Sequence, residues 1–311
     1  MDESMLFIIN PTSARGTTLR RWAQTRRELI RLGIKLTEHL TSRAGEATEV
    51  TRAALQAGIG RVIAVGGDGT LNEVVNGYLD STGQAINQSA AIGLLPSGTG
   101  SDFRRSLGLK SRGNGLGALL GSNSRLLDAV HVAFKSREGA TTSRFCINVT
   151  TLGLGGEAAA SVNQWREKLP PWVGGRVRFM AAAVRALERY RNLRVRVLLD
   201  GEREIQIDSN LIVVANGRFA GGGMMLAPHA ELDDGLLDVI LTDGVTRLDV
   251  IKELPRIQRG AHLKNPKVTE MRAREVSITS DMALAIDLDG ESAGFTPAHL
   301  SVLPSAVRFV I

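Results

Sequence analysis

The chain carries one cysteine, Cys146, in 311 residues, which excludes an internal disulfide and suits a reducing compartment. Aromatic residues make up only 4%, and no nucleic-acid-binding module is present, which counts against RNA or DNA as the partner. No run of about 18 apolar residues occurs, so no segment reads as a membrane span. The opening MDESMLFIIN lacks a secretory pattern. The five histidines, at 39, 131, 229, 262 and 299, do not have zinc-ligand spacing. Neither a Walker A lysine nor the Val-Ala-Ile-Lys and His-Arg-Asp elements of protein kinases appears. The expectation is a cytoplasmic globular protein outside the P-loop and protein-kinase classes.

Hydrophobic residues at 43% and charged residues at 23% give ample core for two domains. The formal net charge of +6 points to an anionic partner, and an anionic membrane surface fits best. The most informative stretch is Arg61 to Gly77, RVIAVGGDGTLNEVVNG. Val62 to Val65 reads as a buried strand, Gly66-Gly67-Asp68-Gly69 as a tight turn, and a helix is expected from about Thr70. A strand, a glycine turn and a helix N-terminus present backbone N–H groups and a positive dipole end to an anion. Asp68 would repel a bare phosphate, but fits if a divalent cation bridges carboxylate and phosphate. A helix-capping carboxylate in a βα turn is the other reading.

Around this stretch, strands and helices alternate. Met5–Ile9 reads as a strand, 18–32 as a basic amphipathic helix, 34–39 as a strand, 44–57 as a helix and 91–95 as a strand. That rhythm predicts an open α/β domain over 1–127 with a mostly parallel sheet. Its strand ends carry glycine and hydroxyl turns, Asn10-Pro11-Thr12-Ser13-Ala14 and Pro96 to Asp102, which should converge on one crevice. From Asp128 the pattern changes to short apolar runs, including 144–150, 211–215, 236–241 and 283–287, with helices only at 176–191 and 248–259. This predicts a β-sandwich over 128–305, with a last strand at 306–311 returning to the first domain. Trp165 and Trp172 among basic residues suit either a membrane interface or packing under a helix. Asp289 and Glu291 around Gly290 should point to one face of a strand end.

GGDGTLNEVVNG resembles the glycine-rich signature of the diacylglycerol kinase catalytic domain, particularly that of the bacterial soluble lipid kinases. The shorter GGDGT core also occurs in NAD kinases, whose α/β domain is similar, and the continuation LNEVVNG favours the lipid kinases. Asn10 to Gly16 resembles the family's NPxSG loop. PSGTGSDF resembles PxGTxNDF, with Ser101 in place of the usual asparagine. Gly221 to Val239 resembles GGGxxxxPxAxxxDGxLDV, and Asp289-Gly290-Glu291 matches DGE.

The resemblance implies an ATP-dependent, Mg2+-requiring lipid kinase. ATP contacts would fall at Asn10, Pro11, Thr12, Ser13, Ala14, Thr41, Gly66, Gly67, Asp68, Gly69, Thr70, Leu71, Asn72 and Thr99. A structural magnesium would take the Asp234 side chain and the main-chain oxygens of Glu231 and Leu236, with Asp128 as an outer partner. Catalysis would rest on Glu291 as proton acceptor, with Asp289 as competitor for that role and Asp68 anchoring the phosphate-bridging metal. The lipid would lie in a cleft between the domains, and a homodimer is compatible with this reading. Alternatives are a NAD kinase-like enzyme acting on a soluble nucleotide and an inactive nucleotide- or lipid-binding module.

Overall fold

The computed structural model describes residues 5–97, 101–109, 115–121, 123–157, 187 and 191–311. The chain forms two units, one from Met1–Asp128 with Ser305–Ile311, the other from Ala129–Pro304. None of the described helices is long and apolar enough to cross a membrane. Thr99, Trp165, Trp172 and all of the helix expected at 176–191 except Leu187 and Arg191 lie outside the described residues.

The first unit is an α/β layer structure. Its strands are β1 (Met5–Ile9), β2 (Leu36–Leu40), β3 (Arg61–Gly66) and β4 (Ala91–Pro96), parallel in the order β2-β1-β3-β4. Strands β1 and β3 are enclosed along their whole length, which explains why they read as continuous apolar runs rather than alternating ones. The helices are α1 (Thr18–Arg31), α2 (Glu46–Gln56), α3 (Asp68–Tyr78), α4 (Asp102–Ser106) and α5 (Gly115–Leu120). Helix α5 falls in a glycine- and serine-rich stretch whose pattern assigns it no element. Its Leu119 is packed into the core with Phe7, Trp22 and Ile63, so burial outweighs local propensity there.

The second unit is built almost wholly from strands: β5 (Ser124–Lys135), β6 (Thr141–Cys146), β7 (Val149–Gly153), β8 (Leu193–Leu199), β9 (Arg203–Ser209), β10 (Leu211–Ala215), β11 (Phe219–Ala220), β12 (Met224–Met225), β13 (Leu237–Thr242), β14 (Val268–Ala273), β15 (Glu275–Ser280), β16 (Ala285–Leu288) and β17 (Glu291–Val310). Antiparallel pairing runs β14-β13-β10-β7-β16-β17, with β15-β8-β9 continuing from β17. Side chains such as Val132, Val197, Ile212, Val239, Ile278 and Leu300 fill one core, giving the expected sandwich-like domain. The run 144–150 is two strands, β6 and β7, split by a turn at Ile147 and Asn148. Residues of β17 precede Ser305 in this unit and follow it in the other.

Candidate active site

In the first unit the parallel sheet brings four strand ends to one edge. The Thr41 amide donates to Ile9 O, Asn10 N to Val65 O and Ser97 N to Gly66 O, all at 2.9–3.0 Å. The loops after β1, β2, β3 and β4 are therefore stitched together where an open α/β sheet holds its ligand. Side chains tighten the cluster. Asn10 Nδ2 donates to Thr70 Oγ1 (3.2 Å), and Asn10 Oδ1 accepts from the Thr12 amide and hydroxyl. Ser13 Oγ lies 2.6 Å from Thr18 Oγ1 and 3.0 Å from Ser97 Oγ. Ser97 had no assigned role from the sequence, although it stands in a quoted stretch.

Helix α3 starts at Asp68, two residues earlier than expected, with Gly67 as its cap. Its first intrahelical bond is Leu71 N to Gly67 O (3.1 Å), so by helix geometry the amides of 68, 69 and 70 have no acceptor within the helix. A Cβ at Gly66 would come within 2.4 Å of Thr70 Oγ1, so the glycine is needed for the helix to fold back over the strand end. Leu71 and Asn72 are completely enclosed. For Leu71 this limits any nucleotide contact to its backbone.

The second half of the signature packs the helix. A Cβ at Gly77 would come 2.4 Å from Thr48 O on α2. Glu73 Oε2 accepts the Ala47 amide (3.1 Å), and its carbonyl accepts the Thr48 hydroxyl.

The Asp68 carboxylate is engaged by a neighbouring turn. Oδ1 accepts from Ser101 Oγ (2.7 Å) and more distantly from Phe103 N (3.4 Å), and Oδ2 accepts from Asp102 N (2.8 Å). It thus caps the N-terminus of α4 from another helix, while Ser101 Oγ accepts from Arg104 N (3.2 Å). Burial, and after it the Asp102 carboxylate, push Asp68 up to about 7.

In the second unit Leu288 and Glu291 pair across a hairpin whose central residues are Asp289 (φ 52°) and Gly290 (φ 91°). Two consecutive left-handed residues make the tight primed turn that Asp-Gly favours. The expectation that Asp289 and Glu291 share one face of an extended strand is therefore corrected. Asp289 turns inward, where Oδ1 accepts from Cys146 Sγ (2.9 Å), Asn148 N (3.0 Å) and Val149 N (3.1 Å), and Oδ2 from Ile147 N (3.0 Å). It is the anchor of the β6–β7 turn, a structural task that does not suit a proton acceptor. Glu291 is half-buried at the hairpin base.

Asp287, unassigned from the sequence, is buried, with Thr151 Oγ1 donating to Oδ2 (3.3 Å) and Oδ1 without a partner among the described residues. Burial and the charges of Asp289 and Glu291 hold its carboxyl well above the usual range.

The one side chain among the expected magnesium ligands, Asp234, has other partners. Asp234 Oδ1 accepts Leu236 N (3.0 Å), and Oδ2 faces Arg272 Nη1 (3.3 Å). Among the described residues no group of three or more His, Cys, Asp or Glu is arranged to hold a metal. With both of its oxygens so engaged, Asp234, the one side-chain donor of the expected set, does not fit magnesium, which needs near-octahedral oxygens at about 2.0–2.1 Å. Asp128 Oδ1 accepts Ser305 N (2.7 Å) within the first unit.

Residues 4–132 match the diacylglycerol kinase catalytic domain, and residues 149–311 match the YegS C-terminal NAD kinase beta sandwich-like domain. The chain belongs to the diacylglycerol kinase family. It is a lipid kinase by that membership. A diacylglycerol kinase of Staphylococcus carnosus is 30% identical over 94% of this chain and 90% of its own length. One from Mycobacterium tuberculosis is 27% identical over 97% and 93%. A Chromohalobacter salexigens protein named "Probable lipid kinase YegS-like" is 30% identical over 98% and 92%. Among solved structures, a diacylglycerol kinase of Bacillus anthracis superposes with a TM-score of 0.67 at 19% identity, over 99% of this chain and 96% of the other. A second structure from that organism reaches 0.77 at 21% identity, over 99% and 95%.

Proposed function

We propose that this lipid kinase transfers the γ-phosphoryl group of magnesium-bound ATP to a hydroxyl of diacylglycerol or a closely related lipid. The observation that carries the nucleotide half is the stitched edge of the parallel sheet, with Asn10, Thr41, Gly66 and Ser97 at four adjoining strand ends. An anion at this edge meets the amides of Gly67, Asp68 and Gly69 and the positive end of α3. Thr70 and Asn72 orient the same turn, and Thr12, Ser13 and Thr99 offer hydroxyls to the nucleotide. Asp68 has four lone-pair sites for three donors, so it can hold the 101–103 turn and still face the cation that ATP brings.

In the reaction the lipid oxygen forms a bond to the γ-phosphorus, the bond to the β–γ bridging oxygen breaks, and ADP leaves. The hydroxyl proton passes to the Glu291 carboxylate. Such transfers depend on positioning and charge neutralisation more than on covalent chemistry. The protein works at the surface of anionic membranes in the cytoplasm, where its net positive charge favours binding.

The test is label transfer from radioactive ATP, with magnesium, to a panel of diacylglycerol, phosphatidylglycerol, ceramide and long-chain alcohols, beside NAD as a soluble acceptor. Labelled diacylglycerol or a relative is expected. Label on NAD alone would refute the proposal.

A further inference from the structure

The acidic turn that should hold magnesium already holds a cation of its own. Arg272, on β14, reaches three separate points of the 229–238 segment. Nη2 donates to His229 O at 2.9 Å, Nε to Asp238 Oδ1 at 3.2 Å, and Nη1 lies 3.3 Å from Asp234 Oδ2. Glu231 adds its charge to the same field. The other Asp234 oxygen is taken by the Leu236 amide, so both face positive hydrogens.

We propose that Arg272 is the permanent cation of this turn, and that its guanidinium replaces a bound metal ion there. A guanidinium suits the task because it stays charged at any working pH and offers several N–H groups in a fixed plane. Here the plane ties the His229 carbonyl and the Asp234 carboxylate of the turn, and the Asp238 carboxylate of β13, to β14. β13 and β14 are already paired, with Asp238 opposite Arg272 in the register. The contact to Asp238 therefore needs no further ordering of the chain. One acceptor is left over, Asp238 Oδ2, which is enclosed and has no partner among the described residues. It is the atom through which a metal would compete, and so it defines the control. The inference goes beyond the kinase reading, because it concerns folding of the nucleotide-free protein and holds whichever lipid is phosphorylated.

The experiment is thermal melting of the full chain without nucleotide, in EDTA and in millimolar magnesium or calcium chloride, with the metal content of the purified protein measured in parallel. The wild type should melt at the same temperature in all three buffers and carry well under one metal per chain. R272M should melt lower by several degrees in EDTA and recover part of the loss when divalent cation is added, because its freed carboxylates then attract metal. R272K, which keeps the charge and loses the planar fork, should fall between the two. If R272M does not fold, R272K still decides, since a lowered melting point with partial recovery by metal is expected of it too. A wild-type melting point that rises by about 5 °C or more with magnesium, or one metal per chain lost in D238N, would overturn the proposal.

Discussion

Replacing Asp68 by Asn separates the two tasks given to this carboxylate. Its pKa rises from 3.8 to about 7 on folding, roughly three pH units, and each unit corresponds to about 1.4 kcal/mol. The upper bound is then about 4 kcal/mol, reduced by whatever water reaches this half-buried side chain. The sign follows from proton binding. The folded state binds the Asp68 proton more tightly than the unfolded chain, so the stabilisation is complete below about pH 4 and is lost as pH rises through 7. Asparagine does not titrate, and with its oxygen accepting from Asp102 N its amide can donate to Ser101 Oγ, so only the Phe103 N contact is lost. Loss of that long contact adds a pH-independent cost of about 1 kcal/mol or less.

Urea unfolding of nucleotide-free wild type and D68N between pH 4.5 and 8 measures both quantities. The wild-type advantage should shrink by about 1–4 kcal/mol across the range. An advantage that is constant, or that grows with pH, would refute the reasoning.

Loss of the phosphate-site carboxylate should also lower turnover of Asp68→Ala by on the order of a hundredfold, read in the label-transfer assay. Glu291→Gln should lose about 10²–10⁴-fold in turnover while ATP binding by calorimetry stays near wild type. Loss of ATP binding would move Glu291 to the nucleotide site. Asp289→Ala strands three turn amides and the Cys146 thiol, so its melting point should drop by an amount equivalent to about 2–5 kcal/mol. A normal melting point with abolished turnover would restore Asp289 as a catalytic group. Binding to vesicles containing anionic lipid should weaken as salt rises, since screening shortens to about 8 Å at physiological ionic strength, and equal binding to neutral vesicles would remove charge as the cause.

The features legible in the sequence were those written in consecutive residues. Val62 to Val65 followed by glycines announces a buried strand and a helix start, and the alternation through residue 96 announces a parallel sheet. The chain did not show which distant groups meet. Ser101 lies 33 residues from Asp68, Arg272 lies 34 from Asp238 and Asp289 lies 140 or more from the amides it accepts. A carboxylate looks the same in sequence whether it faces solvent, a metal or three N–H groups. Strand β14 was missed because Thr269, Glu270 and Arg272 interrupt its apolar residues. The long β17 was missed apart from its end because Pro297 and Pro304 read as breaks.

The sheet of the first unit is completed by residues made after all of 129–304. Phe309 pairs with Ile92 on β4 and stacks edge-on against Phe103 at 5.3 Å. Ile311 N bonds to Asn123 O, and Val310 lies against the position a Cβ would take at Gly93. During synthesis the apolar flank of β4 thus stays open while more than half the chain is still to emerge. An open strand edge of this kind is a site for pairing with another nascent chain. The order of translation makes the nucleotide-site scaffold the last part to close, although most of its residues are made first.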